Sequence, residues 1–270
     1  MEPVVDAAWL SDHPDAIVAD VRWYLDGRSG RAAYEGGHLP GAIFVDIGSD
    51  LARHGEPTEG RHPLPSPEYF AAAIGRLGIG DGDTVVAYDD TGGSTAARLV
   101  WMLRVTGHDA ALLDGGLAAY TGELETGSGV PRPPTTFAVT PWPADRIVSA
   151  DDIAAGAAST VIDARAGERY RGEVEPVDPR AGHIPGALNA PWADNLLPDS
   201  RFADPDTLRA RYRSLGVTAD DPVVYCGSGI TACHDVLALE RAGYPNVKLF
   251  VGSWSAWSSD PARPVATGDE

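Results

Sequence analysis

The sequence predicts an α/β fold built twice: two tandem domains, each a parallel β-sheet flanked by helices. Three observations carry this. Short apolar, β-branched runs alternate with longer helix-like stretches, the pattern of a parallel sheet covered on both faces. The two halves repeat each other, at a constant offset over their closing blocks, which marks a duplicated domain rather than a solenoid. One strand runs into a Gly-rich loop and then a helix at Cys226, the kind of sheet edge at which open α/β folds hold ligands.

In the first half, Ala16 to Val21 and Thr84 to Tyr88 read as strands, Thr95 to Val105 as a helix, and Ala110 to Leu113 as a strand. The second half gives strands at Thr160 to Ala164, Val223 to Tyr225 and Val247 to Val251, with a helix from Ala232 to Ala242. The matching pieces are explicit. Asp20-Val21-Arg22 pairs with Asp163-Ala164-Arg165, and Leu77-Gly78-Ile79 with Leu215-Gly216-Val217. Gly37-His38-Leu39-Pro40-Gly41-Ala42 pairs with Gly182-His183-Ile184-Pro185-Gly186-Ala187. From Tyr88 and Tyr225 onward the offset is a constant 137 residues, as Gly115 with Gly252 and Tyr120 with Trp257 show. Between the copies, the Gly and Pro density of Gly127 to Pro134 and of Pro141-Trp142-Pro143 fits an exposed linker. The expected division is therefore a first domain over 1–126, a linker over 127–144 and a second domain over 145–270. Two sheets side by side would leave a cleft between them, a common place for ligands.

The loop Cys226-Gly227-Ser228-Gly229-Ile230-Thr231 is where the chemistry is expected. Its glycines allow a tight curl, and several backbone N–H groups can turn inward as an anion-binding nest above a helix N-terminus. Such a nest stabilises a thiolate and populates the nucleophile at neutral pH. By the constant offset, the position equivalent to Cys226 is Asp89. The first half thus lacks the nucleophile, and the simplest division is one catalytic half and one scaffolding half.

Composition narrows the partners. The formal charge of −18 argues against nucleic acid and anionic membranes. An anionic substrate would need a local positive site against that field. The two cysteines, Cys226 and Cys233, form no disulfide framework and fit a reducing compartment, with Cys233 read as core filling. No segment resembles a signal peptide and no apolar run approaches a membrane span, so the expected location is cytoplasmic. The histidines show no metal-ligand spacing, and no metal or organic cofactor is called for.

Taken together, the paired Gly-His-Leu/Ile-Pro-Gly-Ala motifs, the Cys226 loop and the closing Gly252-Ser253-Trp254 with Trp257 resemble the two-domain rhodanese-like sulfurtransferases. The resemblance covers nearly the whole chain. It implies that Cys226 accepts sulfur as a persulfide and that the N–H groups of Gly227, Gly229, Ile230 and Thr231 face that sulfur. The neutral loop is similar to the 3-mercaptopyruvate type, with Ile230 in place of valine; thiosulfate-type members carry cations directly after the cysteine. Arg169, before Tyr170, matches the family's carboxylate-binding arginine, and Arg180 is the nearest candidate for a second one. His62 matches a histidine that the family sets beside the loop serine, here Ser228. The acid expected with that pair falls at Gly48, flanked by Asp46 and Asp50. His38 and His183 lie within the duplicated motifs and are read as structural.

The expected activity is sulfur transfer from a small-molecule donor, 3-mercaptopyruvate, through Cys226 to a thiol, thioredoxin or cyanide. Ser228, with His62, would deliver a proton to the departing enolate. Thiosulfate as donor is the alternative, and a persulfide carrier without turnover the next. A cysteine phosphatase is disfavoured because no arginine follows Cys226 within the loop.

Overall fold

The computed structural model describes residues 1–218 and 221–269. The chain divides into two compact units: Met1–Ala52 with Pro65–Trp142 and Leu197–Phe202, and Arg53–Leu64 with Pro143–Leu196 and Ala203–Glu270. The short segment Arg53–Leu64 comes from the first half of the sequence but packs with the second unit.

The first unit holds five parallel strands: β1 (Val4–Val5), β2 (Ile17–Asp20), β3 (Ile43–Phe44), β4 (Val85–Tyr88) and β5 (Ala110–Leu113), in the order β1-β5-β4-β2-β3. The second holds four: β6 (Val161–Asp163), β7 (Leu188–Asn189), β8 (Val223–Tyr225) and β9 (Lys248–Leu249), ordered β7-β6-β8-β9 and also parallel. A single parallel bridge from Ile147 to Leu249 stands where β1 would lie against β5. Strands β4 and β8 are buried at every residue, as a strand covered on both faces must be, and their sequences are continuous apolar runs. Helices cover the sheets: Pro67–Arg76 and Ala97–Val105 in the first unit, Pro205–Ser214 and Ala232–Arg241 in the second. Ser66 and Asp204 cap the two helices that open with proline, a residue whose missing N–H costs nothing there. Among the described residues, no helix is long and apolar enough to cross a membrane.

The duplicated motifs do the same structural work in each unit. Arg22 and Arg165 each fold back onto the aspartate two residues earlier, Asp20 and Asp163, with both members buried. Each guanidinium also donates 2.7 Å to a glycine carbonyl, Gly37 or Gly182, next to the motif histidine. His38 stacks on Tyr34 and His183 on Tyr170, with Nδ1 2.8 Å from the tyrosine carbonyl in both cases. The strand-end tyrosines accept the backbone N–H of Leu39 and Ile184 on their hydroxyls. These histidines therefore fix a loop against a strand end, as their duplication suggested.

Candidate active site

β8 ends at Tyr225, and Cys226 opens the loop that leads into the helix Ala232–Arg241. The loop is held from behind by the start of the helix Ser253–Ser259. The N–H of Cys226 donates to Ser253 Oγ (3.1 Å), and the carbonyls of Cys226 and Gly227 accept from the N–H groups of Trp254 and Ser255 (2.9 Å each). Ser253 adopts φ +53, a left-handed conformation that a serine resists. The equivalent position 137 residues earlier is Gly116, with φ +54. Ser253 thus tolerates strain that glycine avoids, and in exchange supplies a hydroxyl under the cysteine.

Within the loop, the N–H of Gly229 donates to Cys226 Sγ at 3.2 Å. Gly229 has φ +77, and a Cβ there would lie 2.3 Å from the Val251 carbonyl, so only glycine fits. The backbone N–H groups of Ser228, Ile230 and Thr231 make no hydrogen bond to the protein among the described residues. Cys226 is 1% exposed and Ile230 is buried beside it. Cys233 is buried too, its thiol 3.4 Å from the Gly229 carbonyl, and neither cysteine is in a disulfide.

The matching loop of the first unit is already filled. The Asp89 carboxylate accepts from the N–H groups of Thr91, Gly93, Thr95 and Ala96 at 2.7–2.9 Å, and from the Thr95 hydroxyl. The anion that the nest receives there is the protein's own side chain.

His62 reaches the loop through the segment Arg53–Leu64. Its Nδ1 is 2.9 Å from Ser228 Oγ. A 3-10 turn at Pro57–Glu59 and Gly60, with φ +87, bend this segment onto the helix Ser253–Ser259. The Arg61 N–H donates to Ser255 Oγ (3.1 Å), and Ser259 Oγ donates to the Pro57 carbonyl (3.1 Å). One helix therefore sets both the cysteine loop and the histidine. The acids near the expected acidic position are engaged in the first unit: Asp46 caps the turn Ile47–Asp50, and Asp50 is paired with Arg76 at 2.6 Å.

Arg169 lies on the short helix Gly167–Tyr170, with its Nη1 3.4 Å from where a Gly227 Cβ would stand. Its Nη2 donates to Glu175 (2.7 Å) and Asp178 (3.4 Å). Burial raises the Glu175 carboxyl, but the hydrogen bonds from Arg169 and from backbone N–H groups outweigh it and hold it below the usual range. Burial pushes the neighbouring Asp178 upward, opposed by the charge of Arg61 and reinforced by that of Glu175.

Arg180 is placed differently from its expected role. Its guanidinium donates to four backbone carbonyls, those of Trp257, Ser258, Asp260 and Arg263, and so caps the C-terminal end of the helix Ser253–Ser259. The second guanidinium at the loop belongs to Arg61, whose Nη2 comes within 3.1 Å of a Gly227 Cβ. Sequence reasoning passed over Arg61. The available signal was its place between Gly60, which must turn the chain, and His62. Gly227 has no left-handed φ; it is small because two guanidiniums crowd its face. Among the described residues, no group of three His, Cys, Asp or Glu is placed to hold a metal.

A rhodanese-like domain model matches residues 6–123 and again 149–260. This chain belongs to the rhodanese-like domain family. Its rhodanese-like halves are similar over nearly their whole length to "Probable 3-mercaptopyruvate sulfurtransferase" of Pseudomonas aeruginosa, at 45% identity over 97% of this chain and 96% of that protein. They are also similar to "Thiosulfate/3-mercaptopyruvate sulfurtransferase 2" of Arabidopsis thaliana, at 32% identity over 98% of this chain and 86% of that one. The rhodanese fold is shared with the crystal structure of SseA from Escherichia coli, described as one of the 3-mercaptopyruvate sulfotransferases. The TM-score is 0.81 at 34% identity, covering 94% of this chain and 99% of that one.

Proposed function

We propose that this protein is a sulfurtransferase that takes sulfur from 3-mercaptopyruvate on Cys226 and passes it to a thiol. The observation that carries the reading is the grouping of Cys226, the Ser228–His62 contact and Arg169 around one loop that has no cationic side chain of its own. The Cys226 thiolate attacks the donor sulfur. The donor's C–S bond breaks, and its electron pair leaves on carbon as the enolate of pyruvate. Ser228, in contact with His62 at 2.9 Å, hands a proton to that enolate, and His62 restores it. The Gly229 N–H, with those of Ser228, Ile230 and Thr231, stabilises the anionic sulfur. An acceptor thiolate, such as that of thioredoxin, then attacks the outer sulfur and frees Cys226.

Donor choice follows from charge placement. A 2-oxo acid has one carboxylate, which a planar guanidinium such as Arg169 holds away from the reacting sulfur. A compact dianion at the sulfur finds no cationic side chain within residues 227–231 themselves. Steady-state turnover of 3-mercaptopyruvate and thiosulfate with a common acceptor tests this, and kcat/KM should be higher for 3-mercaptopyruvate. Equal or better efficiency with thiosulfate sinks the donor assignment. Cys226→Ser should abolish transfer and Cys233→Ser should keep most of it, with one added sulfur found by mass spectrometry on the Cys226 peptide. Persulfide mainly on Cys233 would overturn the nucleophile assignment.

A further inference from the structure

We infer that Arg61 is the second arm of a carboxylate clamp that straddles Gly227, with Asp178 as the residue that positions both arms. The inference rests on the reading of this site as one for a 2-oxo acid donor, and it assigns the specificity-determining contact to a segment that the sequence places far from the cysteine.

Two guanidiniums converge on one point of the loop. An ideal Cβ on Gly227 would meet Arg61 Nη2 at 3.1 Å and Arg169 Nη1 at 3.4 Å. Gly227 directly follows Cys226, so both groups stand one residue from the sulfur. They arrive from different directions, Arg61 after the Gly60 turn and Arg169 from the helix Gly167–Tyr170. Asp178, its side chain 3% exposed, joins them: one carboxylate oxygen accepts from Arg61 Nη1 and the other from Arg169 Nη2. This leaves Arg61 Nη2 and Arg169 Nη1, the two nitrogens nearest Gly227, without a hydrogen bond to the protein among the described residues.

The charge arrangement says how such a clamp selects. Arg61, Arg165 and Arg169 face Asp163, Glu175 and Asp178 in one continuous chain of ion pairs. Three positive and three negative groups leave the cluster without net charge. Attraction for an anion then comes from directed N–H donors, and a planar carboxylate fits two guanidinium edges better than a compact dianion does. Each arm is held by a buried carboxylate, so little side-chain freedom is lost when the ligand arrives.

Alkylation of Cys226 by iodoacetate and by iodoacetamide tests the clamp without requiring sulfur transfer. Both reagents lose iodide as the thiolate sulfur bonds to their methylene carbon, and only iodoacetate carries a carboxylate beside it. The ratio of the two rate constants, read by mass spectrometry on the Cys226 peptide, reports carboxylate recognition with thiol reactivity divided out. Arg61→Ala should lower the ratio roughly tenfold or more, as expected for loss of a charge-assisted hydrogen bond. Arg61→Lys, which keeps the charge but not the fork, should fall between. Asp178→Asn should also lower the ratio, although it removes a negative charge; a residue acting only through its charge would raise it. An unchanged ratio in Arg61→Ala overturns the clamp, and a raised ratio in Asp178→Asn overturns the positioning role. If Arg61→Ala perturbs folding, Arg61→Lys decides, because a ratio equal to wild type there denies the fork geometry. A lowered ratio in an enzyme that prefers thiosulfate would leave the clamp standing while the donor assignment fails; turnover of 3-mercaptopyruvate with an unchanged ratio would do the reverse.

Discussion

At the scale of single residues, the second unit buries a polar knot at the helix that follows the Cys226 loop. Asp235 lies on the helix that follows Cys226 and accepts from Asn195 Nδ2 at 2.6 Å. The Asn195 carbonyl oxygen in turn accepts from Arg211 (2.8 Å) and Tyr212 (2.9 Å). Burial pushes the Asp235 carboxyl up to about 7, with Arg211 and Asn195 opposing it. The folded state therefore holds the proton more tightly than the unfolded chain, where an aspartate titrates near 3.9. Between those two values stability falls as pH rises, and above about 7 the full penalty of the buried charge is present. Asp235→Asn should flatten that fall between about pH 4 and pH 7, as read from urea midpoints at each pH. An equally steep fall in the variant would place the titrating group elsewhere. Cys226 itself was legible in the sequence, from the strand before it and the glycines after it, and the constant offset singled out Asp89. Arg61 and Arg180 were not. A guanidinium's partners are set by tertiary placement, and the spacing of Arg180 from Arg169 along the chain cannot say which arginine meets a carbonyl and which meets the loop.

At the scale of elements, Gly60 is the hinge between the segment Arg53–Leu64 and the helix beneath the cysteine. With φ +87, a Cβ on Gly60 would stand 2.4 Å from the Gly252 carbonyl. Gly60→Ala should lift Arg61 and His62 off that helix and cut kcat/KM at least tenfold. Cys226 should still be alkylated by iodoacetamide at a rate close to wild type, since its loop is held from the other side by Ser253 and Trp254. Loss of both together would show that the segment supports the cysteine loop as well. Strands β2, β4, β5, β6, β8 and β9 were legible because their residues sit in apolar, β-branched runs. The two-residue strands β1, β3 and β7 were not read, for two residues carry no period, whereas two-residue β9 lies within a longer apolar run. The assignment of Arg53–Leu64 to the second unit lies beyond pattern reading, because no local feature of a loop states which core it will rest on.

At the scale of the molecule, one scaffold appears twice with one difference at its centre. Each unit has the buried Asp–Arg pair, the stacked Tyr–His pair and a strand-end tyrosine, and each turns the same kind of loop above a helix. In the first, the Asp89 carboxylate occupies the loop's N–H groups. In the second, the same position holds the Cys226 thiol, and on the proposed reaction the anionic sulfur would move one atom outward into the loop when sulfur is loaded. The first loop's N–H groups are thus satisfied from within the chain, whereas on the proposed reaction the second loop would gain its extra acceptor only when sulfur is loaded. Hydrogen–deuterium exchange should register this difference as a one-sided signal. Treatment with donor should slow exchange at 227–231 and leave 90–96 as it was. Slowing at both loops, or at neither, would deny that the added sulfur is what the second loop grips. The chain carries its own reference channel beside its working one, so a single exchange experiment reports how much of a population is loaded without any outside standard.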